Sequence, residues 1–116
     1  MKIPESIREM AGVGHAWQYR LGQADIWVGS DGRVRRLAEM EERHLINCEA
    51  FLLRHAERIR DAVCYYDFCV QSALGIPEDV PLLIEKIGDL DPQQWMRTTP
   101  VFQGIYAELE RRGRTR

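Results

Sequence analysis

From Glu39 to Leu74 the chain contains neither glycine nor proline. Within that stretch Leu45, Cys48, Leu52, Ala56, Ile59, Val63, Tyr66, Val70 and Leu74 step forward three or four residues at a time, close to the 3.6 period of a straight α-helix. Read as one helix, the stretch would be about 54 Å long at 1.5 Å per residue. A compact chain of 116 residues has a radius of gyration near 13 Å and a diameter of about 35 Å. Either the helix breaks or the molecule is elongated and leans on a partner. A break is expected near Asp61 or within Val63–Val70, where β-branched and aromatic residues lower helix propensity; the two halves then fold back on each other. Without a break, a homodimer packed antiparallel along Ile59, Val63, Tyr66 and Val70 is the simplest cover, because two-fold dimers are the commonest closed assembly.

The flanking segments are shorter. Pro4 with Ile3, Ile7 and Met10 predicts a two-turn helix ending before Gly12. Gly12-Val13-Gly14 then reads as a loop, and the alternation of Trp17, Tyr19 and Leu21 as a short strand or an extended segment. Asp31-Gly32 between Asp25-Ile26-Trp27-Val28 and Arg33-Val34-Arg35-Arg36-Leu37 marks a β-hairpin, since glycine accepts the positive φ of such a turn. Downstream, Asp79 is expected to cap a helix with Pro81 in its first turn, running to about Ile87. Asp91-Pro92-Gln93-Gln94 is a capping-box pattern opening a helix with Trp95 and Met96. Thr99-Pro100 opens the last helix, which carries Val101, Phe102, Ile105, Tyr106 and Leu109 and ends at Gly113. The expected fold is mainly α with one small β-hairpin: a long amphipathic helix with several short helices, in a single domain over 1–116.

Composition removes whole classes of function. The longest apolar run, Ala62 to Tyr66, falls far short of the ~18 residues a membrane span needs, and the N-terminus lacks a secretory pattern. Three cysteines, Cys48, Cys64 and Cys69, without secretory context favour free thiols and the cytoplasm. Sixteen basic residues against eighteen acidic ones lack the basic excess of a bulk nucleic-acid binder. The charges are unevenly placed, however. Arginines crowd between Arg33 and Arg60, acids between Glu78 and Asp91, and the tail carries Arg111, Arg112, Arg114 and Arg116. A nucleic-acid alternative therefore rests on Arg33, Arg35, Arg36, Arg111, Arg112 and Arg114, provided the hairpin and the C-terminus lie on one side.

At about 100° per residue, Met40, His44, Asn47, Phe51, His55 and Arg58 fall on one mixed face flanking the apolar stripe. His44 and Asn47 either present a polar pair to a ligand or pin the hairpin above them. With Met40, Phe51, Arg54 and Arg58 they make the candidate binding face. His44 and Cys48 have the i, i+4 spacing of two metal ligands, but His55 is about 16 Å from His44 along the axis and a third ligand would have to come from His15, so no metal or other cofactor is expected. No nucleophile elbow, phosphate-cradling loop or His-Glu-x-x-His motif is present. The expectation is a non-enzyme.

Trp27, Asp31-Gly32, Met40-x-x-x-His44-Leu45-x-Asn47 and Leu53-Arg54 together resemble a stretch of short uncharacterised proteins of tailed phages and prophages. The ending Tyr106-x-x-Leu109-Glu110-Arg111-Arg112-Gly113 is similar to theirs. The likeness covers residues 27–54 and 106–113; it departs from the family at Glu41-Glu42-Arg43, where an Asp or Ser usually opens the helix. It implies a phage or prophage accessory protein in the bacterial cytoplasm, one that binds a host or phage protein and interferes with a defence or housekeeping factor by occlusion. That is an inference from context alone.

Overall fold

The computed structural model describes residues 5–75, 77 and 79–113, with side chains from Gly12 onward. Ile3, Pro4 and Arg114 lie outside the described residues. The order of elements is α1 (Glu5–Leu21), β1 (Ile26–Val28), β2 (Val34–Arg36), a 3-10 turn (Leu37–Glu39), α2 (Glu42–Arg54), α3 (Ala56–Leu74), α4 (Leu83–Ile87), α5 (Pro92–Arg97) and α6 (Pro100–Arg111). The protein is mainly α with one antiparallel hairpin, as the sequence predicts.

The long stretch does break, but at His55 and not near Asp61. His55 has φ −105° and ψ 14°. Its amide still donates to the Phe51 carbonyl at 3.0 Å, and its own carbonyl accepts from Ile59 at 2.9 Å. The result is a one-residue kink, and the halves do not fold back on each other. Leu52 and Ala56 are buried on either side of it. The kink lets α2 pack against α5 and α6 while α3 packs against α1 and α5. Across Val63–Val70 the helix is continuous. The propensity deficit there is a few tenths of a kcal/mol per residue, and tertiary packing overrides it. The molecule is accordingly elongated, 52 × 30 × 20 Å, with a radius of gyration of 15.8 Å.

The first part of the upper stripe is covered within the chain, whereas Tyr66 and Val70 are half-buried and Leu74 is 71% exposed. Ile59 and Val63 share one core cluster with Trp95 and Met96, and α1 lies along α3. That arrangement corrects the expectation for the N-terminal region. Instead of a short helix, a loop and an extended segment, α1 runs unbroken through Gly12, Val13 and Gly14 to Leu21. Gly14 is buried, and a Cβ there would collide with the Ala62 carbonyl oxygen and the Tyr66 Cβ. The glycine that costs about 1 kcal/mol in a helix interior is here the condition for two helices to approach closely.

The hairpin forms as expected, with Trp27 opposite Arg35 and Gly32 at φ 80°. The Gly29 amide donates to the Arg33 carbonyl at 2.9 Å, and Asp31 Oδ1 accepts from the Arg33 amide at 3.0 Å. That second bond, helped by Arg35 and Arg33, holds the Asp31 carboxyl below its ordinary pKa. Asp91 caps α5 through the Gln94 amide at 3.1 Å. Pro100 opens α6, and Gly113 at φ 85° follows its end.

The cap expected from Asp79 is not made. α4 starts at Leu83, and its first amides are taken by Glu85, which accepts from Leu82 N–H at 2.8 Å, and by Asp67 of α3, which accepts from Leu83 N–H at 2.8 Å. The helix start is set by a side chain sixteen residues upstream. No helix among the described residues is long and apolar enough to cross a membrane.

Candidate functional site

Five of the six residues proposed for the binding face reach the surface at least in part. Met40 does not: it is 5% exposed and belongs to the core with Leu37 and Leu45. The 3-10 turn tucks it inward, its amide donating to Leu37 O at 3.2 Å; extrapolating the helix back to residue 40 misplaced it. His44 is half-buried, and Asn47, Arg54 and Arg58 are exposed. Phe51 is 38% exposed despite its size.

Phe51 stands at the centre of an aromatic group that the sequence reading did not assemble. Its ring lies 6.1 Å from that of Trp17, nearly parallel to it, and 4.6 Å from the His55 imidazole. The Arg20 guanidinium sits 5.2 Å from the Trp17 ring centre and also donates to Gly29 O at 3.5 Å. Thus α1, the α2–α3 kink and the hairpin meet at one place. Trp17 and Arg20 were missed because Trp17–Leu21 reads as an extended segment; their i, i+3 spacing on a helix was the signal that could have found them. Outward from this group, Arg43, Arg54 and Arg58 are exposed along α2 and the first turn of α3, with Glu57 between the last two and Asp61 lining the same groove as Arg54 and Arg58.

His44 and Asn47 do not pin the hairpin. Neither makes a side-chain hydrogen bond among the described residues. Its base is held from elsewhere: the Leu37 amide donates to Asp25 O at 2.9 Å, and Arg112 from the end of α6 donates to Leu37 O at 3.3 Å and Ala38 O at 3.2 Å.

The hairpin and α6 do lie on one side. A groove of about 910 Å³ runs between them, lined by Asp25, Arg36, Gly104, Glu108 and Arg111 among others. Arg111 of this lining and its neighbour Arg112 are already engaged. Glu108 accepts from Arg111 at 3.1 Å through Nε, with a second close contact from the same guanidinium, and from Arg112 at 2.9 Å. These bonds hold the Glu108 carboxyl down to about 2.

A depressed folded-state pKa contributes stability above the unfolded value and loses it as pH falls toward the folded one. The contribution of Glu108 is therefore present above its ordinary value of 4.5 and vanishes as pH drops from there toward about 2. Glu108→Gln should melt lower than wild type at about pH 6, with the gap closing toward about pH 2. Thermal melts followed by circular dichroism check this.

Cys48 is in the core, and burial pushes its thiol up to about 11. His15 packs instead against Tyr66, with ring centres 5.1 Å apart. Among the described residues no three His, Cys, Asp or Glu side chains come together as metal ligands would.

No protein-family model matches the chain, and no curated protein or solved structure is significantly similar to it.

Proposed function

We propose that the chain is a small accessory protein of the phage or prophage type, acting in the bacterial cytoplasm by occupying a surface of a host or phage protein without catalysing a reaction. The supporting observation is the Phe51 group: Trp17, Phe51 and His55 gathered at a kink, with Arg20 stacked on Trp17 and Arg43, Arg54 and Arg58 exposed around it. Aromatic and arginine side chains held on rigid helices are the residues that anchor protein interfaces, because they offer large contact area at small entropic cost. Packing against one another fixes their rotamers before any partner arrives, which lowers the cost of association.

The nucleic-acid alternative draws less from the geometry. Arg111 and Arg112 are paired with Glu108, and Asp25 and Glu108 place carboxylates in the groove that Arg36 and Arg111 share.

The test is capture from bacterial lysate by wild type and by Phe51→Ala, with nuclease-treated lysate in parallel. The expected result is a host protein retained by wild type after nuclease treatment and lost about tenfold or more with Phe51→Ala, the size of a truncated interface anchor. Recovery of no protein above background, or recovery indifferent to Phe51, overturns the reading. Capture abolished by nuclease supports the nucleic-acid alternative instead.

A further inference from the structure

The region from Asp79 to Asp91 has the chemistry complementary to the Phe51 face. Val80, Ile84 and Leu90 are 43, 42 and 44% exposed, and around them stand Asp79, Glu85, Asp89 and Asp91, all exposed, against the single cation Lys86. Apolar side chains beside carboxylates, of which Glu85 and Asp91 also cap helix starts, thus match aromatic side chains beside arginines, where Glu57 and Asp61 are the acids among Arg43, Arg54 and Arg58. Within one molecule the two cannot meet. Asp67 holds Leu83, and Arg60 donates to Leu90 O at 3.1 Å, so this acidic region is tied to the face of α3 that carries Arg60 and Asp67. At about 100° per residue, Arg60 lies about 200° and Asp67 about 180° around the helix from Arg58. The acidic region and the arginine-rimmed aromatic face therefore point away from each other on opposite sides of α3.

We propose that the Phe51 face docks the Asp79–Asp91 region of a second copy, so that the chain associates head to tail. The proposal rests on the Phe51 group being a protein-binding face and names one partner for it. Because donor and acceptor surfaces differ and lie on opposite sides, the contact does not close on itself as a two-fold dimer does. Each added copy leaves one free surface of each kind, and growth continues beyond two. Opposite charge steers the encounter, and at about 1 M salt, where screening acts within about 3 Å, that contribution is lost.

Light scattering and sedimentation over a concentration series test it. At low salt the average mass should rise above 13.5 kDa and pass that of a dimer, and it should fall back toward the monomer at about 1 M salt. Arg54→Glu, on the basic face, and Ile84→Lys, on the acidic one, should each weaken self-association about tenfold or more. Both side chains are exposed, so helicity by circular dichroism should be unchanged. The two variants mixed should form a one-to-one pair and stop, since each retains the surface the other lacks. A wild-type monomer at every concentration, a species that closes at two, association indifferent to either variant, or a mixture that fails to pair each overturns the proposal. Such a failure leaves capture through Phe51 standing; loss of the Phe51 dependence in lysate overturns the face itself.

Discussion

Val63→Glu should abolish the fold rather than release a soluble, helical monomer. Val63 is 4% exposed and shares a core with Ile59, Trp95 and Met96, so the new carboxylate would have no partner and no water. An unpaired buried charge costs several kcal/mol, comparable with the ~5–15 kcal/mol that holds a domain together. Far-UV circular dichroism should show most of the helical signal gone at room temperature. A folded, helical Val63→Glu protein would mean that the stripe faces outward after all and that α1 does not cover it.

The second large effect is a difference between neighbours. Gly12 and Gly14 lie in the same helix, and replacing either by alanine removes the same backbone penalty, about 1 kcal/mol. The surroundings differ. A Cβ at Gly12 meets nothing within 4 Å, while one at Gly14 runs into the backbone of Ala62. Gly12→Ala should therefore stabilise the protein by about 0.5–1 kcal/mol. Gly14→Ala should destabilise it by about 1–3 kcal/mol, since α1 and α3 must separate to admit the methyl group. Urea denaturation of both variants decides the matter. Equal shifts of the same sign would show that the two helices do not touch at Gly14.

These two glycines also show where a sequence stops being legible. The local signals held: the Asp31-Gly32 turn, the Asp91 cap and the Pro100 helix start each depend on chemistry within a few residues. What failed was decided at longer range. Gly12-Val13-Gly14 reads as a loop because the compensating contact, Ala62, is far away in the chain. Asp79 reads as a cap because Asp67, which holds the first amide of α4, belongs to another helix. The break in the long helix was legible as a requirement of length, yet its place was not. Propensity points to Asp61 or to Val63–Val70, whereas the structure bends at His55, where α2 gives way to α3 and its different neighbours. The candidate site was legible along α2 and the first turn of α3, where His44, Asn47, Phe51, Arg54 and Arg58 follow from the helical period. Trp17 and Arg20 became visible only once α1 was known to be helical. Met40 was lost because the helix starts at Glu42, after it.

Arg112 donates to carbonyls 74 and 75 residues earlier in the chain, and Gly104 presses on Ala24. Such closures make the order of synthesis matter. The hairpin and α2 leave the ribosome well before the α6 surface that seats them, and a pairing of such long sequence separation is slow to form. Until α6 arrives, the nascent chain holds local helices around an uncovered Leu45 and Leu52, sticky surface of the kind that aggregates or engages chaperones. A premature stop before Pro100 should therefore yield insoluble or degraded product, while one that removes only the residues after Gly113 leaves the described closure untouched.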